Sequence, residues 1–90
     1  MMVHRIPPWK PLAQWKLIFH YPLQDRITFH NAAEAIRTIA RVPILEAENL
    51  VLEACESDEV LILITHKEQA ELYVEQFTNA RLTVTILPAA

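Results

Sequence analysis

The stretch "VLILITHKEQAELYVEQF", Val60 to Phe77, decides the architecture. "VLILI" is apolar at every position and β-branched at three, the pattern of a central strand covered on both faces. From His66 the period changes. Ala70, Tyr73, Val74 and Phe77 recur at helical spacing, so a helix follows, with Thr65 a candidate cap. Glu68, Glu71 and Glu75 fall within about 60° of one another on its far side, with Leu72 beside them. Such a charged face is ordinarily solvated; the sharper reading is contact with basic residues of a partner.

Downstream, Asn79 and Ala80 turn the chain into "LTVTIL". There Leu82, Val84 and Ile86 alternate with Thr83 and Thr85, and Pro88 ends the strand. Upstream, "ESDE" makes a turn without glycine, using Ser57 and Asp58. It is preceded by "PILEAENLVLEAC", whose Pro43 suits the first turn of a helix. On that helix Ile44, Ala47, Leu50, Val51, Ala54 and Cys55 share one broad face, while Glu46, Asn49 and Glu53 share the opposite one. Leu45 and Leu52, seven apart, form a separate apolar edge that either packs under the preceding helix or rims a binding groove.

Before Pro43, "NAAEAIRTIA" reads as another helix, with Asn31 as N-cap and Glu34 completing a capping box. "YPLQDR" is a loop around Pro22. "WKLIFH" is a half-buried strand with Trp15, Leu17 and Phe19 on one side and Lys16, Ile18 and His20 on the other. Residues 1–13, with Pro7, Pro8 and Pro11, read as an extended, mobile arm, and residues 14–90 as the folded domain. The predicted order is βααβαβ: an α+β domain with three antiparallel strands packed on three helices in two layers.

Composition removes several function classes. Ninety residues make one domain with one modest core. With 52% hydrophobic and 21% charged residues the balance is that of a globular chain. A formal charge of −3 without any basic cluster argues against nucleic acid. No apolar run approaches the roughly 20 residues of a membrane span, and the prolines near the start do not suit a signal peptide, so a cytoplasmic or stromal location is expected. The chain has no glycine, hence neither a P-loop nor a dinucleotide fingerprint, and no cofactor is expected.

Cys55 is the single cysteine, which excludes an internal disulfide or a multi-cysteine metal site. It could act as a nucleophile with His20 or His30 as base. Its apolar helical face instead predicts a buried, inert thiol, and the chain is read as no enzyme. His4, His20, His30 and His66 lack the spacing of a metal site.

"AELYVEQF" followed by "LTVTILPA" resembles the C-terminal half of ClpS, the adaptor of the Clp protease, in its bacterial and plastid forms. "WKLIF" looks like the first strand of that family, and "EAENLVLEAC" matches its second helix in length and apolar positions. The resemblance spans about Trp15 to Ala89. It implies an α/β domain behind a flexible arm that is not an enzyme, docks on the N-terminal domain of a Clp ATPase and presents substrates with destabilising N-terminal residues. Glu68 and Glu71 match acidic positions of the family's docking surface; Glu75 and Leu72 extend it.

The resemblance also implies a degenerate substrate pocket. The family's loop carries Asn-Asp-Asp to hold the substrate α-amine. Here those places hold Leu23, Gln24 and Asp25 counted from the helix, or Tyr21, Pro22 and Leu23 counted from the strand. The family's amine-binding His aligns with Cys55, and its apolar pocket residues with Val51 and Ala54. A desolvated ammonium needs charged or strongly accepting partners, which Asp25 supplies and a thiol does not. Ordinary recognition of N-terminal residues is therefore not expected. The rival reading is an interaction or assembly subunit of another complex, unconnected to proteolysis, for which Trp9 and Tyr21 would suit an interface.

Overall fold

The computed structural model describes residues 13–89. The first 12 residues, with Trp9 and all but the last position of the expected arm, lie outside them. The elements run β1 (Gln14–His20), α1 (Phe29–Ala40), α2 (Ile44–Ser57), β2 (Glu59–His66), α3 (Lys67–Asn79) and β3 (Val84–Pro88). The βααβαβ order and the three-stranded antiparallel sheet are those expected.

The strand order is not the expected one. The sheet runs β2-β1-β3, so β1 is central and β2 lies at an edge. β1 carries three consecutive buried side chains, Leu17, Ile18 and Phe19, because it alone has a strand on each side. β2 is covered on one face only: Val60 is buried and Ile62 and Leu63 pack on the core, whereas Leu61 and Ile64 remain 40% and 45% exposed.

A bulge explains how a continuously apolar strand meets a single core. Pairing with β1 passes from Leu17↔Leu63 to Ile18↔Leu61, which leaves Ile62 as the extra residue. Across that step the alternation shifts by one, so Val60 and Leu63 both sit beside core residues of β1, Phe19 and Leu17. The extra apolar residue that mimics a doubly covered strand in the sequence is the inserted one.

All three helices lie against the core side. α2 packs on β2, α3 contacts all three strands, and α1 packs on α2 and α3. The core is Leu17, Phe19, Ala32, Ala33, Ile36, Ala47, Val51, Ala54, Val60, Phe77, Leu82 and Val84. The small residues Ala32, Ala33, Ala47 and Ala54 let helix backbones approach while Phe19 and Phe77 fill the volume between them.

The caps correct two expectations. α1 begins two residues before Asn31, at Phe29, and its N-cap is Thr28, whose Oγ1 accepts from the Asn31 amide at 3.1 Å. Thr28 in turn donates to Asn31 Oδ1 at 2.6 Å. Glu34, expected in a capping box, instead binds Arg37 at 2.8 Å. α3 is capped by His66 rather than Thr65, with Nδ1 accepting from the Gln69 amide at 3.4 Å.

Without glycine, the left-handed positions at chain reversals fall to other residues: Arg26, Arg41, Asp58 and Arg81 all have φ between 60° and 73°. Arg41 ends α1 and Asp58 ends α2 in this conformation, where glycine would serve with less strain. No helix among the described residues is long and apolar enough to cross a membrane.

Candidate functional site

Two regions hold the residues singled out in the sequence. The first is the outer face of α3. Ala70 and Phe77 anchor the helix in the core, with Tyr73 and Val74 half-buried beside them. That anchoring turns Glu68, Glu71, Leu72 and Glu75 to solvent, and all four are exposed. Tyr73 and Phe77, one turn apart on α3, meet with their ring centroids 6.4 Å apart, and the burial of Phe77 and Ala70 fixes which face of the helix turns inward.

Among the described residues none of the three glutamates is paired with a cation; the ion pairs there are His20–Glu59 and Glu34–Arg37. Leu72, 45% exposed, also lines a recess of about 330 Å³ with Ile39, Arg41, Gln69, Tyr73 and Gln76. A second hollow of about 340 Å³ opens beside Glu68 at the start of α3, lined by Ala13, His66 and Lys67. There Lys67 sits 5.4 Å over the Trp15 ring. The acidic stripe thus starts at one hollow, through Glu68, and Leu72 beside it lines the other.

The second region is the end of α2 with the loop after β1. The Tyr21 amide ties the start of the loop to the Asp58 carbonyl at 2.8 Å, and within the loop the Ile27 amide closes a turn on the Gln24 carbonyl at 3.1 Å. Gln24 reaches away, toward Thr83 Oγ1 at 3.4 Å. Asp25 is exposed on the Gln24–Ile27 turn, next to the left-handed Arg26.

Cys55 departs from expectation. It is an exposed free thiol, not a buried one, since it lies at the margin of the apolar face of α2 whose centre is Ala47, Val51 and Ala54. Val51 and Ala54, expected to line a pocket, are fully buried in the core cluster, so their side chains offer no surface to a ligand. Of the four expected substrate-binding residues, only Asp25 and Cys55 are accessible.

Tyr21 is the residue that sequence reasoning treated as an interface aromatic and that the structure puts at this site. Its ring packs on the core cluster, and Cys55 is the neighbour that acts on its phenol. The nearby Cys55, first as a hydrogen-bonding group and then through the charge it would carry, raises the Tyr21 pKa above its ordinary 10.0, and burial adds to the shift. The position next to a strand end and the aligned Cys55 were both visible in the sequence; their proximity required the fold.

Leu45 and Leu52 resolve the open reading of the apolar edge: at 71% and 50% exposed they do not pack under α1. Among the described residues no group of three His, Cys, Asp or Glu side chains converges in a way that could hold a metal.

No family model matches the chain, and no curated protein matches it in sequence. Solved structures do match. One, "The structure of Agrobacterium tumefaciens ClpS2 bound to L-phenylalaninamide", superposes with a TM-score of 0.79 over 87% of this chain and 99% of that one, at 12% sequence identity. The chain has the ClpS fold.

Proposed function

We propose that this chain is a non-enzymatic protein-binding adaptor that docks on the N-terminal domain of a Clp ATPase and modulates or delivers substrates for proteolysis. The observation that carries this reading is the ridge of Glu68, Glu71 and Glu75, held outward on a ClpS fold and unpaired with any described cation. Such a ridge attracts a basic partner surface and fixes its orientation, while Leu72 adds an apolar contact at its edge.

The substrate side is read as altered. Of the residues that the resemblance aligns with the substrate site, Asp25 and Cys55 are accessible. Asp25 is the carboxylate that the loop after β1 offers an incoming ammonium, and the Cys55 thiol is a weak acceptor in the place of an imidazole. The adaptor reading therefore goes without ordinary recognition of N-terminal residues.

The deciding experiment is a pull-down with a Clp ATPase N-terminal domain as bait. Retention is expected for the wild-type chain and loss of at least tenfold in affinity for the double variant Glu68→Lys, Glu71→Lys. Retention by a different assembly, with none by the N-terminal domain, would favour the rival reading of an assembly subunit. The exposed apolar groups Leu61, Ile64 and Leu87 on the sheet, away from α3, support that second reading.

A further inference from the structure

We propose that the acidic face of α3 is covered within the chain itself by the segment before Ala13, through Lys10 and Arg5, and that a docking partner displaces it. Glu68, Glu71 and Glu75 are exposed on that face with Leu72 beside them. α3 has a single cation, Lys67, and it is engaged elsewhere, with its ammonium 5.4 Å over the Trp15 ring of β1. No ion pair among the described residues reaches the ridge. Carboxylates one turn apart repel each other, so the face gains from a basic chain laid along it.

Charge and the point at which the chain enters the fold identify the covering segment. All eleven acidic residues lie after residue 13, with six of the eight basic ones; residues 1–12 hold Arg5 and Lys10 and no carboxylate. The chain enters at Ala13, which lines the same hollow as Glu68 at the start of α3. Gln14 pairs with His66, the N-cap of that helix, so the start of β1 and the start of α3 are held side by side. Glu53 and Glu56, near the end of α2, lead instead into Glu59, which pairs with His20 at the far end of β1.

The lengths agree. Lys10 is three residues from Ala13, at most about 11 Å of extended chain, which brings its ammonium to Glu68 and Glu71. Arg5 is five residues further, about 16 Å at the 3.1 Å per residue of a proline-rich chain. Glu75 lies about 10 Å beyond Glu68 along the helix, and the long Arg5 side chain takes up the difference. Ile6 and Trp9, between the two cations, are the apolar groups that fall beside Leu72. Pro7, Pro8 and Pro11 reduce the conformational freedom lost when the segment is laid down. Tethering sets its effective concentration at α3 in the millimolar range, so exposed ion pairs too weak to hold a free peptide populate the covered state. The masking of a partner, though not the contact itself, rests on the adaptor reading.

NMR on the full chain tests the contact, with a nitroxide on Val3→Cys and Cys55→Ala leaving one site for the label. Amides from Glu75 to Asn79, at the far end of α3, should broaden. The effect should vanish in Arg5→Glu, Lys10→Glu and in Glu71→Lys, Glu75→Lys, and weaken at high salt, where exposed charges are screened. Broadening centred on another element, or indifferent to these reversals, would overturn the proposal. The masking is read separately, from the affinity of the unlabelled chain for a Clp ATPase N-terminal domain: Arg5→Glu, Lys10→Glu should bind about threefold tighter than wild type. Equal or weaker binding by that variant removes the masking. Absence of binding by both chains removes the adaptor reading and the masking with it, and the NMR result alone then decides the contact.

Discussion

At the scale of single residues, Tyr21 and Cys55 carry the sharpest consequence. The Cys55 contact raises the folded-state pKa of Tyr21 above its ordinary 10.0. A group whose pKa rises on folding stabilises the fold fully below its unfolded value and loses that contribution as pH climbs through the folded one. That contribution is therefore fully present at neutral pH and is lost only above the ordinary tyrosine pKa of 10.0. Ultraviolet titration should show one tyrosine ionising later than a free phenol, and Cys55→Ala should return it to the ordinary range; an unchanged curve in the variant would remove the contact from the account. The same residues bear on substrate binding. With Cys55 where the resemblance places an imidazole, peptides beginning with Phe, Leu, Trp or Tyr should bind weakly or not at all. Fluorescence anisotropy checks this, and micromolar or tighter affinity contradicts it.

At the scale of elements, helix starts and stops show where local patterns mislead. Asn31 with Glu34 has the spacing of a capping box, yet Thr28 caps α1 because the helix is already under way at Phe29. Two candidate caps three residues apart are indistinguishable until it is known which one the chain reaches in extended conformation. Thr28→Ala should destabilise the domain by about 1 kcal/mol, whereas Asn31→Ala should cost less, since it removes no accepted backbone amide. Urea unfolding distinguishes them, and the reverse ranking would restore Asn31 as the cap. Helix ends are also where the absence of glycine is felt. Replacing the left-handed Arg41 by Gly should stabilise the domain by about 0.5–1 kcal/mol, read as a rise in melting temperature. A fall would show that the Arg41 side chain contributes more than its backbone costs.

At the scale of the whole molecule, a single core is shared by all six elements, so large core truncations are not local events. Phe77, fully buried on α3, is central to it. Phe77→Ala should cost about 3–5 kcal/mol, a large fraction of the roughly 5–15 kcal/mol available to a domain of this kind. Circular dichroism with urea unfolding measures the loss. Retention of near-wild-type stability would mean that α3 is not clamped as described, and the outward aim of Glu68, Glu71 and Glu75 would lose its basis.

The sequence by itself determined the kind and order of the elements. Alternation in "LTVTIL", helical spacing in "AELYVEQF" and proline at position 43 are local signals, and local backbone geometry answers to them. It also determined the outward face of α3, because that helix has one apolar stripe and only one way to bury it. Tertiary structure alone decided that β1 is central, that the extra residue in β2 is absorbed by a bulge, that Cys55 is exposed and that Tyr21 reaches it. The reason is physical: periodicity says which side chains share a face, but whether that face is covered depends on neighbours brought from elsewhere in the chain. "VLILI" reads the same in an edge strand with one bare face as in a strand buried on both.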